Sequence, residues 1–194
     1  LVRGGGVVDE NRAERVCPPS ELKSLNNPLR RLVHSPRRLL GPHVGPGDTA
    51  LDLGCGGGFF TVELARLVGP EGHVIAVDLQ PEMLDFTRGT VEKRGLLDRV
   101  TLHLCREDDL SLDGVEADFA LAFYVVHEVP DRRAFLAQLA RLLKPGGRFL
   151  MVEPRHHASR AVLGEIIAEA EEVGLRLERF LGVFLSPGAL FVKG

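Results

Sequence analysis

Cysteine is scarce: Cys17, Cys55 and Cys105 are the only three in 194 residues. An odd number at wide spacing argues against a disulfide framework and against the C-x-x-C spacing of a zinc site, and it points to a reducing, cytoplasmic setting. Positive charge is not in excess either. The formal net charge is −3, so no global cationic field draws the chain to nucleic acid phosphates, and nucleic acid is not an expected partner. No apolar run approaches the roughly 20 residues that a membrane span needs, so no membrane association is expected. Repeats, low-complexity tracts and long linkers are also lacking, which leaves one principal domain. The first residues, Leu1 to Gly6, have neither an initiator Met nor a charged-then-apolar leader pattern and are set aside from the fold reading.

What is present is enough for one full core, with 44% hydrophobic and 26% charged residues. From about residue 49 onward, short β-rich runs alternate with longer segments of helical period, the pattern of a mostly parallel sheet covered by helices on both faces. The strands expected are Thr49–Leu53, His73–Val77, Val100–Leu104, Phe119–Phe123, Arg148–Val152, Leu175–Leu185 and Ala189–Lys193. Helices are expected from Phe59 to Val68, from Pro81 to a stop at Gly95, through Phe135, Leu136, Leu139, Leu142 and Leu143, and through Val162, Ile166, Ala170 and Val173. The last two strands are too close for a crossover helix. They must pair antiparallel, joined through Ser186-Pro187-Gly188. Residues 1–44 read as a separate segment, with Leu22, Leu25, Leu29, Leu32 and Val33 in two short helices broken by Asn26-Asn27-Pro28, a candidate lid over a domain spanning residues 45–194.

The chemistry concentrates in Asp52-Leu53-Gly54-Cys55-Gly56-Gly57-Gly58. Glycines at alternate positions let a chain turn from strand to helix while a ligand approaches without meeting a Cβ. Asp78 follows about twenty residues later at the end of the second strand, where an acid accepts hydrogen bonds from the two hydroxyls of a ribose. A dinucleotide fingerprint would place glycine or alanine where this chain has Phe59. The carboxylate of Asp52 suits a cationic sulfonium better than an anionic pyrophosphate. Together these observations point to S-adenosylmethionine.

The segments Leu51 to Phe60 and Val77 to Leu84, followed by Leu142-Leu143-Lys144-Pro145-Gly146-Gly147-Arg148, resemble class I S-adenosylmethionine-dependent methyltransferases. The run Phe123-Tyr124-Val125-Val126-His127-Glu128-Val129-Pro130 is similar to a subgroup of small bacterial and archaeal members. The resemblance implies a Rossmann-like three-layer α/β sandwich, a seven-stranded sheet with one antiparallel strand. It also implies methyl transfer with S-adenosylhomocysteine as product and names no acceptor; a small-molecule acceptor is expected because the compact chain shows no obvious inserted recognition domain. By position it implies that Asp52, Gly54 and Gly56 surround the methionine portion, that Asp78 holds the ribose and that Leu79 flanks the adenine. Cys55, Met83, Ala122 and Phe123 complete the expected cofactor residues. Where the family has an acid against the adenine amino group, the register places Arg106, then Glu107, Asp108 and Asp109. Either Glu107 makes that contact with Asp108 beside it, or backbone groups hold the adenine and the acids form a solvated loop.

Methyl transfer is an in-line displacement that needs alignment and a lone pair, with a base only for protonated nucleophiles. His127, with Glu128, lies just past the fourth strand and is the candidate base, the alternative being a histidine hydrogen-bonded for structure. Tyr124 is a candidate for orienting the acceptor, or a packed tyrosine with a satisfied hydroxyl. Glu153-Pro154-Arg155-His156-His157 follows the fifth strand at the same crevice edge, but adjacent histidines match no standard metal spacing and no metal is expected. Arg30, Arg31, Arg37 and Arg38 are either the solvent face of a short helix or a basic patch over the pocket for an anionic acceptor or RNA. The remaining alternatives are an RNA or protein methyltransferase and a non-catalytic binding module.

Overall fold

A computed structural model describes residues 35–156, 159–183 and 186–194. The expected helices around Leu22 to Val33 lie outside the described residues, as do Arg30, Arg31 and His157. The first described element is a single helical turn, α1 (Pro36–Leu40), with proline in the first turn, where its missing N–H costs nothing. There follow β1 (Thr49–Leu53), α2 (Thr61–Val68), β2 (His73–Asp78), α3 (Pro81–Glu92), β3 (Val100–Leu104) and β4 (Ala117–Phe123). The chain continues with α4 (Arg132–Leu142), β5 (Leu143–Val152), α5 (Arg160–Glu172), β6 (Leu175–Val183) and β7 (Ser186–Lys193).

The seven strands form one sheet in the order β3-β2-β1-β4-β5-β7-β6. All pairs are parallel except those of β7, which runs antiparallel to both neighbours. Strand periodicity divides the core into two layers. Ala50, Phe119, Leu121 and Phe123 face α1, α2 and α3, where they meet Leu40, Val62, Leu64, Val68, Leu84 and Val91. Leu51, Leu53, Ala120 and Ala122 face α4 and α5, where they meet Phe135, Leu136, Leu139, Ile166 and Ala170. The strand order reverses between β1 and β4, so the connections leaving these strands diverge to opposite faces and open a crevice at their carboxyl ends. Among the described residues, no helix is long and apolar enough to cross a membrane.

Several boundaries differ from expectation; β4, for one, starts at Ala117 rather than Phe119. The second helix starts at Thr61, because Phe59 and Phe60 stay in the turn with their rings buried edge to face, 4.9 Å between centroids. The fifth strand starts at Leu143, which pairs with Ala117 before a register shift. Lys144-Pro145-Gly146-Gly147 stops the helix, as proline and glycine do, yet the backbone goes straight into the sheet. Ser186, Pro187 and Gly188 belong to the last strand and pair with Val183, Gly182 and Leu181, so they are not the hairpin turn. Proline is tolerated here near the strand's start, where its carbonyl accepts a hydrogen bond from the Glu153 N–H at 3.0 Å.

Candidate active site

The chain leaves β1 through Gly54 at φ 66° and Gly56 at φ 52°, both left-handed conformations that cost an L residue energy and glycine nothing. Asp78, at the end of β2, braces this turn. Its Oδ2 accepts from the Gly56 N–H at 2.9 Å and its Oδ1 from the Gln80 N–H at 3.0 Å. Burial raises the Asp78 pKa, and the backbone N–H groups of Gly56, Gln80 and Leu79 work against that shift. From the other side, the Thr87 hydroxyl donates to the Gly56 carbonyl at 2.7 Å and lies 3.7 Å from Cys55 Sγ. Thr87 was not among the expected site residues. The signal for it is a hydroxyl on the apolar face of α3, between Met83, Leu84 and Val91, all buried.

The turn opens onto a cavity of about 350 Å³ in the crevice. Of the expected cofactor residues, Gly54, Cys55, Gly56, Asp78, Leu79 and Met83 line it, together with Glu107 and Phe123. Asp52, Asp108 and Ala122 do not. Asp52 points to the α2 face, where its Oδ2 accepts from the Thr61 hydroxyl at 2.5 Å. Burial pushes its carboxyl up to about 7, opposed by the Thr61 hydrogen bond and reinforced by Asp78. Ala122 is on the opposite face of the sheet, packed with Ala120. Asp108 is exposed on the loop after β3, beyond the cavity wall. Arg106, in the adenine register, is turned to Asp109 at 2.9 Å.

The wall fits an adenosine. Gly56 lines the cavity, and a Cβ built there would meet no atom of the described residues beyond its chain neighbours within 4 Å. Apolar Leu79, Met83 and Leu110 line the same cavity as Asp78, a slot for a flat ring next to an acceptor for hydroxyls. Burial pushes the Cys105 thiol up to about 11 and raises Cys55 well above its ordinary value, so both remain thiols at neutral pH.

At the end of β4 the backbone makes a second left-handed turn. Tyr124 has φ 64°, its N–H donates to the Val152 carbonyl at 2.8 Å, and its hydroxyl lies 2.6 Å from Ser186 Oγ. A 3-10 turn, Val126–Glu128, then brings His127 and Glu128 to the cavity wall. Behind His127 sits Glu153, 1% exposed, with Oε1 accepting from the Val126 N–H at 3.0 Å and Oε2 2.6 Å from His127 Nδ1. Nε2 of the same ring lies 3.8 Å from Glu128 Oε1. Burial pushes the Glu128 carboxyl up to about 7, against the attraction of His127 and with the repulsion of Glu153 and Asp78. In the sequence Glu153 stands only as part of a crevice-edge loop, and its contact with His127 spans 26 positions that no local pattern connects. Among the described residues, no group of three His, Cys, Asp or Glu side chains is arranged to hold a metal ion.

A family model described as a methyltransferase domain matches residues 45–179. The demethylmenaquinone methyltransferase of Symbiobacterium thermophilum is 35% identical over 120 residues, covering 62% of this chain and 48% of that protein. The arsenite methyltransferase of Halobacterium salinarum is 36% identical over 105 residues, covering 54% of this chain and 27% of that protein. The chain thus spans less than half the length of these curated relatives. Among solved structures, a SAM dependent methyltransferase from Aquifex aeolicus superposes with a TM-score of 0.83 at 27% identity, covering 92% of this chain and all of that one.

Proposed function

The chain belongs to the class I S-adenosylmethionine-dependent methyltransferase family, and on that premise we propose that it methylates a small molecule bound against His127 and Glu128. The observation that carries this reading is the shared cavity. The glycine turn braced by Asp78 lies at one end, and an apolar wall with a titratable pair at the other.

The Asp78 carboxylate, held by the backbone N–H groups of Gly56 and Gln80, is the acceptor for the ribose hydroxyls. Leu79, Met83 and Leu110 offer apolar faces to the adenine. When bound, the cofactor supplies a methyl carbon made electrophilic by its sulfonium and departs as S-adenosylhomocysteine. Phe59, Phe60 and Phe123, with Val125, Val129 and Phe135, give the cavity an apolar lining that suits an acceptor with an apolar frame. The names of the two curated relatives support a small acceptor. So does the lining, where Asp78, Glu107 and Glu128 stand against Arg106 among the described residues, a wall that does not favour the phosphates of an RNA. Of the arginines that motivate an RNA reading, Arg37 pairs with Glu63 at 3.9 Å.

Calorimetric titration with S-adenosylhomocysteine is expected to show binding, and Asp78→Asn to weaken it at least about ten-fold, since a charged hydrogen bond is worth roughly 1.5–3 kcal/mol. Unchanged affinity in a folded Asp78→Asn protein would contradict the site. Radiolabelled methyl transfer to a panel of phenols, quinols and amines, run beside total RNA, tests the acceptor. Label in RNA alone replaces the small-molecule half of the proposal.

A further inference from the structure

The His127 ring is fixed at one nitrogen and directed at the other. Glu153 already accepts a backbone N–H through Oε1, and its backbone N–H is tied to the Pro187 carbonyl on β7. A buried carboxylate held this way is an acceptor, so the 2.6 Å contact is made by a hydrogen on the imidazole: Nδ1 donates to Oε2. In the neutral ring the lone pair then belongs to Nε2. The separation of 3.8 Å between Nε2 and Glu128 Oε1 is too long for a hydrogen bond, and both residues line the cavity. Both chain segments are anchored, since Tyr124 on the His127 side is bonded to Val152 through its N–H. Among the described residues, the acids that contact this ring include Glu153 from the end of β5 and Glu128 from its own turn, with Asp78 from the end of β2 acting on Glu128.

Resting on the methyltransferase reading, we propose that Glu153 is the positioning residue that makes Nε2 of His127 a proton acceptor, and that the methyl acceptor is therefore one that loses a proton when methylated: a hydroxyl, a phenol, or a primary or secondary amine. A thioether or tertiary amine, methylated on a bare lone pair, has no use for this arrangement. In the step assigned to His127, the acceptor's bond to hydrogen breaks and the proton goes to Nε2. The electron pair stays on the acceptor atom and forms its bond to the methyl carbon, while the carbon–sulfur pair returns to sulfur. The imidazolium so formed is stabilised by Glu153 and Glu128, and its proton later returns to water. Glu153 touches neither acceptor nor cofactor in this scheme. It acts through the ring.

The test is two-bond proton–nitrogen correlation NMR on protein labelled with 15N-histidine and saturated with S-adenosylhomocysteine, with His127 assigned from the His127→Asn spectrum. The wild type is expected to carry hydrogen on Nδ1. In Glu153→Gln, whose amide can donate or accept, the two tautomers are expected to mix. Hydrogen on Nε2 in the wild type would overturn the proposal, because no lone pair would then face the cavity, and this result needs no variant to fold. With the first acceptor that the panel yields, Glu153→Gln should lower kcat about 10²-fold while affinity for S-adenosylhomocysteine stays within about two-fold. An unchanged kcat would refute the positioning role. Wild-type protein that fails to bind S-adenosylhomocysteine sinks the methyltransferase reading and this inference with it, whereas binding with the wrong tautomer sinks the inference alone.

Discussion

Gly54 and Gly56, two positions apart, separate folding from binding, and alanine at each gives opposite outcomes. At Gly56 the added Cβ meets no atom of the described residues beyond its chain neighbours within 4 Å, so the cost to the fold is that of an L residue at φ 52°, roughly 1–2 kcal/mol. For a chain of 194 residues each kcal/mol lowers Tm by about 2–4 °C, so Gly56→Ala should melt about 2–8 °C below wild type. The same methyl occupies space that the cofactor needs. Overpacking by one methyl costs about 1–3 kcal/mol, or roughly 5- to 150-fold in affinity. At Gly54 the Cβ would lie 2.5 Å from Val125 Cγ2 and 3.6 Å from Val125 Cβ. Valine is stiff at χ1, so relief requires moving the segment that leads into His127. Conformational strain and clash together cost about 2–5 kcal/mol. Scanning calorimetry and titration with S-adenosylhomocysteine should therefore rank Gly54→Ala as the less stable variant, while Gly56→Ala loses affinity out of proportion to its stability. If Gly56→Ala binds as tightly as wild type, the glycine turn does not cradle a ligand and the reasoning fails.

Asp52 and Tyr124 supply the remaining tests. The folded carboxyl of Asp52 titrates near 7, above its ordinary value of 3.8, so its contribution to stability is fullest below that ordinary value and is lost as pH rises toward 7. The slope is about 1.4 kcal/mol per pH unit and the total about 4 kcal/mol. Urea midpoints measured from pH 4 to 8 should fall less steeply in Asp52→Asn than in wild type, and parallel curves would disprove the burial account. Tyr124→Phe deletes the bond to Ser186 Oγ, whose residue is 7% exposed, and should cost about 1 kcal/mol in denaturant with cofactor affinity unchanged. Loss of turnover at full stability would instead show that the hydroxyl orients the acceptor.

The sheet was legible because buried parallel strands are short continuous apolar runs, and each here is bounded by glycine, proline or charge. Its edges were less so. Lys144-Pro145-Gly146-Gly147 interrupts a helix in any context, but whether the following backbone finds a partner depends on Ala117, which sits on another strand. Within the site, Gly54, Gly56 and Asp78 follow from spacing, since one motif carries them all. The position of Asp52 does not follow from that motif. Strand parity decides it: Leu51 and Leu53 face α4 and α5, so Asp52 shares the side of Ala50 and meets Thr61 on α2. By the same parity Ala122 sits with Ala120 and Leu53 on the α4 and α5 side. A motif counts positions along the chain and is blind to which side of the sheet each one serves.

Glu153 and Thr87 were hidden for another reason, and topology is what reveals them. Thr87 reaches Gly56 across 31 positions and Glu153 reaches His127 across 26, so no periodicity links either pair. In a parallel sheet, however, every strand delivers its carboxyl end to the same edge, and residues just beyond neighbouring strands become neighbours. Phe123 pairs with Val152 in the β4–β5 register, which places the turn after Phe123 beside Glu153. β1 adjoins β4 on its other side, so the glycine turn faces that same segment, and Gly54 comes within a methyl's reach of Val125. Given only the strand order 2-1-4-5, a carboxylate one residue past β5 and a histidine four residues past β4 are obliged to share an edge. What the sheet order cannot supply is orientation. That comes from Tyr124, whose left-handed backbone turns the chain back so that Val126 and His127 present an N–H and a ring nitrogen to the same carboxylate.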